Sequence, residues 1–118
     1  MIYNIKDRLI YYDDEEENMT KVYFIRHAQT VANTTGYCYG ISECDITEEG
    51  MIQLEKLSER FKDIPIDVIY TSPLKRTYVT AEAVNKYHNV QIIPEKDIIE
   101  IDAGSWEQKR WDDLKLEY

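Results

Sequence analysis

Val22-Tyr23-Phe24-Ile25-Arg26-His27-Ala28-Gln29-Thr30 is the stretch of this 118-residue chain on which the fold turns. Four apolar residues rich in β-formers run without a polar break, and an arginine and a histidine follow at once. A short continuous apolar run suits a strand buried on both faces, as in a parallel sheet covered by helices. Arg26 and His27 then fall at the C-terminal edge of that strand, where open α/β sheets bind their ligands. An imidazole can attack phosphorus directly, and a phosphohistidine splits one hard transfer into two easier ones. The guanidinium beside it is a planar fork of donors matched to phosphate oxygens. A single Arg-His pair reads first as a histidine that merely ends a strand, so the rest of the chain must decide.

Outward from this run, strand and helix signals alternate. A polar, glycine-containing stretch leads to Asp45. Thr47 offers an N-cap, with Glu48 and Glu49 in the first turn where the helix dipole favours them. Met51, Leu54, Leu57 and Phe61 continue at helical spacing and predict one apolar face, and Pro65 closes the element. Val68-Ile69-Tyr70 reads as a second buried strand. Ser72-Pro73 predicts a helix start, with the serine as cap and the proline at the first helical position. That helix carries Leu74, Ala81 and Val84 inward and fades near Asn89. Val90 to Ile93 and Asp97 to Ile101 are further strand candidates, separated by Pro94, and Trp111 to Tyr118 opens another helix. The order predicts an α/β fold with a mainly parallel sheet and flanking helices.

Composition narrows the class. Hydrophobic content of 43% and a formal net charge of -9 fit a soluble globular domain and argue against nucleic acid as a partner. No apolar run approaches the ~20 residues of a membrane helix, and no signal peptide is visible, so no membrane partner and a cytoplasmic location are expected. Cys38 and Cys44 with two histidines make no zinc ligand set, so no metal is expected and both thiols are read as reduced. Residues 1–18, with the acidic block Asp13 to Glu17, read as an N-terminal extension, and the domain is expected to occupy 19–118.

Two further segments carry groups suited to chemistry. In Thr71-Ser72-Pro73-Leu74-Lys75-Arg76, Arg76 sits in the first turn of a helix that follows a strand, near an end already suited to anions. In Ile99-Glu100-Ile101-Asp102-Ala103-Gly104-Ser105-Trp106-Glu107, a carboxyl near a phosphate site could donate a proton to a departing oxygen. Alone, the first is a solvated surface arginine and the second an acidic loop in an acidic chain.

Together the three segments resemble, in order and spacing, the histidine phosphatase superfamily of phosphoglycerate mutase-like proteins. Arg26-His27-Ala28-Gln29-Thr30 is similar to the family's Arg-His-Gly motif with its following Glu or Gln and Ser or Thr. Asn33 falls where the family has a phosphoryl-contacting asparagine. Gly40 through Gly50, with Asp45 and Thr47, resembles the segment ahead of the family's first long helix. Ser72-Pro73-Leu74-Lys75-Arg76 with Thr80-Ala81 resembles the second arginine motif. Glu100 followed by Gly104, Trp106 and Glu107 resembles the stretch with the acid-base glutamate.

The resemblance covers roughly Thr20 to the chain end. It implies a phosphoglycerate mutase-like fold, His27 and Glu100 as catalytic, Arg26, Asn33 and Arg76 as phosphate-binding, Thr30 in a secondary role, and no cofactor. It also implies a phosphorylated small-molecule substrate, whose identity lies in loops; Tyr37, Tyr39 and Trp106 are candidate lining residues, though packing is their plainer role.

The departures are Ala28 for glycine, which requires that the backbone there not need a positive φ; Thr77 and Val79 for alanine and glutamine; and Gln108 for a common glycine. These are expected to alter packing more than chemistry. The family's second histidine, late in its chain, has no counterpart: His88 precedes Glu100 and reads as a surface residue. The expectation is the N-terminal part of the domain, truncated at the C-terminus, with an exposed sheet edge that favours self-association. Three functions follow: a phosphomonoester phosphatase acting through a phosphohistidine; a truncated, non-catalytic anion-binding or self-associating fragment; or a phosphoglycerate-type mutase.

Overall fold

The computed structural model describes residues 20–117. The acidic block and the rest of the 1–18 extension therefore lie outside the described residues. In chain order the elements are α1 (Val31–Thr35), α2 (Glu48–Phe61), β1 (Val68–Thr71), α3 (Lys75–Asn85), β2 (Gln91–Pro94), two short 3-10 turns (Lys96–Ile98 and Gly104–Trp106) and α4 (Trp111–Glu117). β1 and β2 pair in parallel with Ile69 opposite Ile92 and Tyr70 opposite Ile93. The crossover between them is α3, so these residues form a βαβ unit.

α3 covers one face of the sheet and α2 packs against α3. The core lies between them: Phe61, Ile69, Ala81 and Val84, with Tyr23, Ile25, Leu57 and Ile92 packed around. The Tyr23 ring meets Phe61 edge-on at 5.4 Å. Full burial of a side chain such as Phe61 contributes about 1.5–3 kcal/mol. A buried hydroxyl adds specificity, since Ser58 of α2 donates to the Ala83 carbonyl of α3 at 2.8 Å.

The ends of α2 follow the sequence closely. Thr47 has extended backbone angles and accepts from the Gly50 N–H at 3.0 Å, the geometry of an N-cap. Gly50 is needed for close approach, because a Cβ there would run into the Gln29 carbonyl. The first turn of α2 is thereby pressed against the loop that follows His27.

Several expectations are corrected. Residues 22–25 are not a strand: they carry no ladder to a neighbouring strand among the described residues. They are covered on one face only: Tyr23 and Ile25 pack on the core, whereas Val22 and Phe24 are 62% and 46% exposed. β1 likewise alternates, with Ile69 and Thr71 buried and Val68 and Tyr70 exposed. A continuous apolar run says that a strand fits between two covering layers, and here helices cover one side.

Met51 points outward while Leu54 and Phe61 face the core. Asp97 to Ile101 is not a strand; Lys96–Ile98 form a 3-10 turn opened by the Glu95 side chain, which accepts from the Asp97 N–H at 3.2 Å. α3 begins at Lys75, later than the Ser72-Pro73 signal, because Leu74 is still extended. It ends at Asn85, short of Asn89, where the chain turns through a positive φ. His88 is half-buried, its Nε2 lying 2.7 Å from the Phe61 carbonyl.

Candidate active site

The loop after residue 25 is clamped from two sides, and this fixes His27. On one side Thr47 N–H donates to the Gln29 carbonyl at 3.1 Å, Val31 N–H to the Asp45 carbonyl at 2.9 Å, and Gln29 N–H to the Gln53 side chain at 2.8 Å. On the other, the buried Ala28 N–H donates to the Thr80 hydroxyl at 3.1 Å, and that hydroxyl donates to the Arg76 carbonyl at 2.8 Å. Thr80 thus joins the histidine loop to the first turns of α3. Ala28 is not among the residues with positive φ, so the small side chain stands in for glycine without backbone strain.

His27 Nδ1 lies 2.7 Å from the Ala28 carbonyl oxygen. In the neutral ring that contact places the proton on Nδ1 and leaves the Nε2 lone pair for attack. Partial burial lowers the imidazole pKa from its ordinary 6.5; the Ala28 carbonyl opposes this, and the positive charges of Arg76 and Arg26 push it further down. Both effects favour the neutral, nucleophilic form near pH 7.

Arg76 is 3% exposed. Its Nη1 donates to the Ser42 carbonyl at 2.9 Å and its Nη2 to the Gly40 carbonyl. A guanidinium has five N–H donors, so several remain for a ligand. The turn before α3 is closed by the Thr77 hydroxyl, within donor reach of the Ser72 and Leu74 carbonyls at 2.9 and 2.7 Å. The residue at 77 therefore braces the arginine's turn.

His27, Arg76 and Glu100 line one small cleft of about 60 Å³, together with Ser72, Leu74, Thr77, Ile98 and Ile99. Glu100 arrives on the irregular segment after the 3-10 turn and not at a strand end; its Oε1 accepts from the Ile101 N–H at 3.0 Å. Arg26 is exposed beside His27. Asn33 does not line this cleft: its Oδ1 accepts from the Thr30 N–H and hydroxyl, both at 2.9 Å. Thr30 is fully buried and serves as the N-cap residue of α1. Asn33 lines instead a second, open hollow of about 320 Å³ with Ala32, Gly36, Tyr37, Tyr39 and Trp111. Of the aromatics named as candidate lining residues, Tyr37 and Tyr39 line this hollow, whereas Trp106 packs edge-on against Trp111 at 6.4 Å, the plainer role given to it.

Sequence reasoning missed the part played by Glu107. Its carboxylate accepts from the N–H groups of Gly40, Ile41, Ser42 and Ala103 at 2.9 to 3.2 Å. Desolvation works against the charge, but the Ser42 side chain and these backbone donors outweigh it and hold the pKa at about 2. Gln108, next in the chain, has φ of 61°, the left-handed conformation that favours glycine. The signal was present in the sequence as a departure from a common glycine.

A family model described as the histidine phosphatase superfamily (branch 1) matches residues 22–118, and the chain belongs to that superfamily. It is 41% identical over 88 residues to phosphoserine phosphatase 1 of Hydrogenobacter thermophilus, covering 75% of this chain and 42% of that protein. It is 37% identical over 89 residues to the uncharacterized phosphatase PhoE of Bacillus subtilis, covering 75% and 46%. The crystal structure of the α-ribazole phosphatase from Shigella flexneri superposes with a TM-score of 0.74 at 29% identity, covering 79% of this chain and 46% of that one. The chain thus spans less than half the length of these relatives. The fold is phosphoglycerate mutase-like α/β. Among the described residues no helix is long and apolar enough to cross a membrane.

Proposed function

We propose that this chain carries the phosphoryl-transfer residues of a phosphomonoester phosphatase that works through a phosphohistidine. The observation that carries the reading is the convergence of His27, Arg76 and Glu100 on one cleft from three separate segments. His27 Nε2 attacks the phosphorus of a phosphorylated small molecule, while Arg76 and Arg26 neutralise the charge on the transferring group. Glu100, protonated, gives its proton to the leaving oxygen; as the carboxylate it then takes one from the water that releases phosphate. Asn33, with its carbonyl oxygen held by Thr30, lies at the second hollow, so this scheme gives it no contact with the phosphoryl group. The arginines supply the charge stabilisation, so no metal is needed for this scheme.

The test is hydrolysis of p-nitrophenyl phosphate in EDTA beside a His27→Ala control. Expected is turnover that falls at least about a hundredfold in the variant, with an acid-labile phosphohistidine trapped on the wild type by rapid quench. Turnover unchanged in the variant would sink the assignment of His27.

A second reading has its own observation in favour. The cleft holds one histidine, and the chain's other, His88, is engaged with the Phe61 carbonyl elsewhere. On that reading the chain binds anions without turnover. Saturable inorganic phosphate binding, lost in Arg76→Met, with no hydrolysis at all, is the result that selects it. The exposed outer face of β1 supports self-association as a further part of either reading, with the cytoplasm as its setting.

A further inference from the structure

We propose that Glu107 is a positioning residue for Arg76, acting through the peptide group between Gly40 and Ile41. The proposal rests on the reading of Arg76 as a phosphate ligand. Arg76 is a buried cation whose bonds in this fold go to backbone carbonyls, those of Gly40 and Ser42. A buried charge held by neutral groups alone is costly unless a compensating charge lies close by.

The compensation comes from the far side of the loop. The Gly40–Ile41 peptide accepts from Arg76 Nη2 through its carbonyl and donates to Glu107 Oε1 through the Ile41 N–H at 2.9 Å. One peptide dipole therefore stands head to tail between the carboxylate and the guanidinium, and each charge polarises it in the sense the other needs. The Gly40 and Ser42 N–H groups add further bonds to the same carboxylate at 3.0 and 3.2 Å.

The backbone is shaped for this relay. A Cβ on Gly40 would collide with the Ile101 carbonyl and with Glu107 Oε1. The adjoining strands of loop are pinned by Cys38, whose N–H donates to the Lys109 carbonyl and whose carbonyl accepts from the Gln108 N–H, both at 2.8 Å. Glu107 also holds the Ala103 N–H at 3.0 Å, on the segment that leads from Glu100. The carboxylate thus sets the position of the loop that aims the arginine and braces the segment that brings the acid-base candidate.

A merely structural glutamate would tack two loops together and leave Arg76 indifferent to its charge. The discriminating experiment is a double-mutant cycle of Glu107→Gln and Arg76→Met on the 118-residue chain, read by calorimetric titration with inorganic phosphate and by urea unfolding. Glu107→Gln is expected to weaken phosphate binding about tenfold, Arg76→Met to weaken it more, and the double variant to match Arg76→Met alone. Glu107→Asp, which keeps the charge, is expected to recover a large part of the loss. Phosphate affinity unchanged in Glu107→Gln, or losses that multiply in the double variant, would overturn the relay.

If the wild type takes up no phosphate, the reading of Arg76 as a ligand falls, and the unfolding cycle decides the relay by itself. Destabilisations that fall short of additive support it, and additive ones refute it. Should Glu107→Gln not fold, the acid titration of the Glu107 carboxyl is followed by NMR in the wild type and in Arg76→Met: a midpoint that rises in the variant supports the relay, and an unmoved one overturns it.

Discussion

His27 is where the electrostatics of this chain are most legible. Its pKa is lowered from 6.5 by burial first, then, against the pull of the Ala28 carbonyl, by Arg76 and Arg26. Between the lowered value and 6.5 the unfolded chain holds more protons than the folded one, so stability rises with pH through that window. The contribution is complete above 6.5 and is lost as pH falls below it. An NMR titration of the His27 ring should show a midpoint below 6.5, and Arg26→Gln should move it upward; a midpoint at or above 6.5 would contradict the assignment of causes. Glu107, lowered from 4.5 to about 2, keeps its charge throughout that window and contributes stability that is lost only as pH falls from about 4.5 toward 2. Gln108 offers a separate test, because its left-handed backbone is strained for any residue with a Cβ. Gln108→Gly is expected to stabilise the chain by about 1 kcal/mol, measured by urea unfolding.

At the scale of elements, the helix termini are the working parts. The start of α2 was readable from Thr47 and its two glutamates, because an N-cap is a contact between neighbours in sequence. Thr47 also reaches the Gln29 side chain at 2.7 Å, so the same residue anchors the histidine loop. Thr47→Ala should cost about 1 kcal/mol in thermal or urea unfolding. The start of α3 was misplaced, because the Thr77 hydroxyl, by bonding the Ser72 and Leu74 carbonyls, favours a tight turn ahead of the first helical residue. Thr80 ties α3 to Ala28, and its loss leaves a buried N–H without a partner. Thr80→Val is therefore expected to cost about 1–3 kcal/mol of stability and to reduce phosphate affinity, since it frees His27 from Arg76. A fully stable variant with undiminished affinity would show that the clamp is dispensable.

For the whole molecule, the outstanding feature is the side of the sheet that the helices leave uncovered. Val22 and Phe24 on the segment before His27 and Val68 and Tyr70 on β1 are all exposed. Apolar surface of this kind drives association. Light scattering behind size-exclusion chromatography should show a mass that grows with concentration. The paired change Phe24→Glu and Tyr70→Lys should shift the chain toward a monomer. A monodisperse wild-type monomer at every concentration would count against self-association.

What the sequence determined by itself is local: alternation of strand and helix signals, the cap at Thr47, the apolar positions of α3 and, Met51 apart, of α2, and the family, through motifs short enough to be read along the chain. Only the tertiary structure decided which groups meet. Ala28 finds Thr80 across 52 residues, and Gly40 finds Glu107 across 67. It also showed that Glu100 reaches the cleft from a turn and not a strand, and that Asn33 is held by Thr30 beside a different hollow. Periodicity and capping report how a segment sits on its own neighbours. The partner of a buried carboxylate or guanidinium is set by which loops the folded core brings together, and no spacing along the chain encodes that.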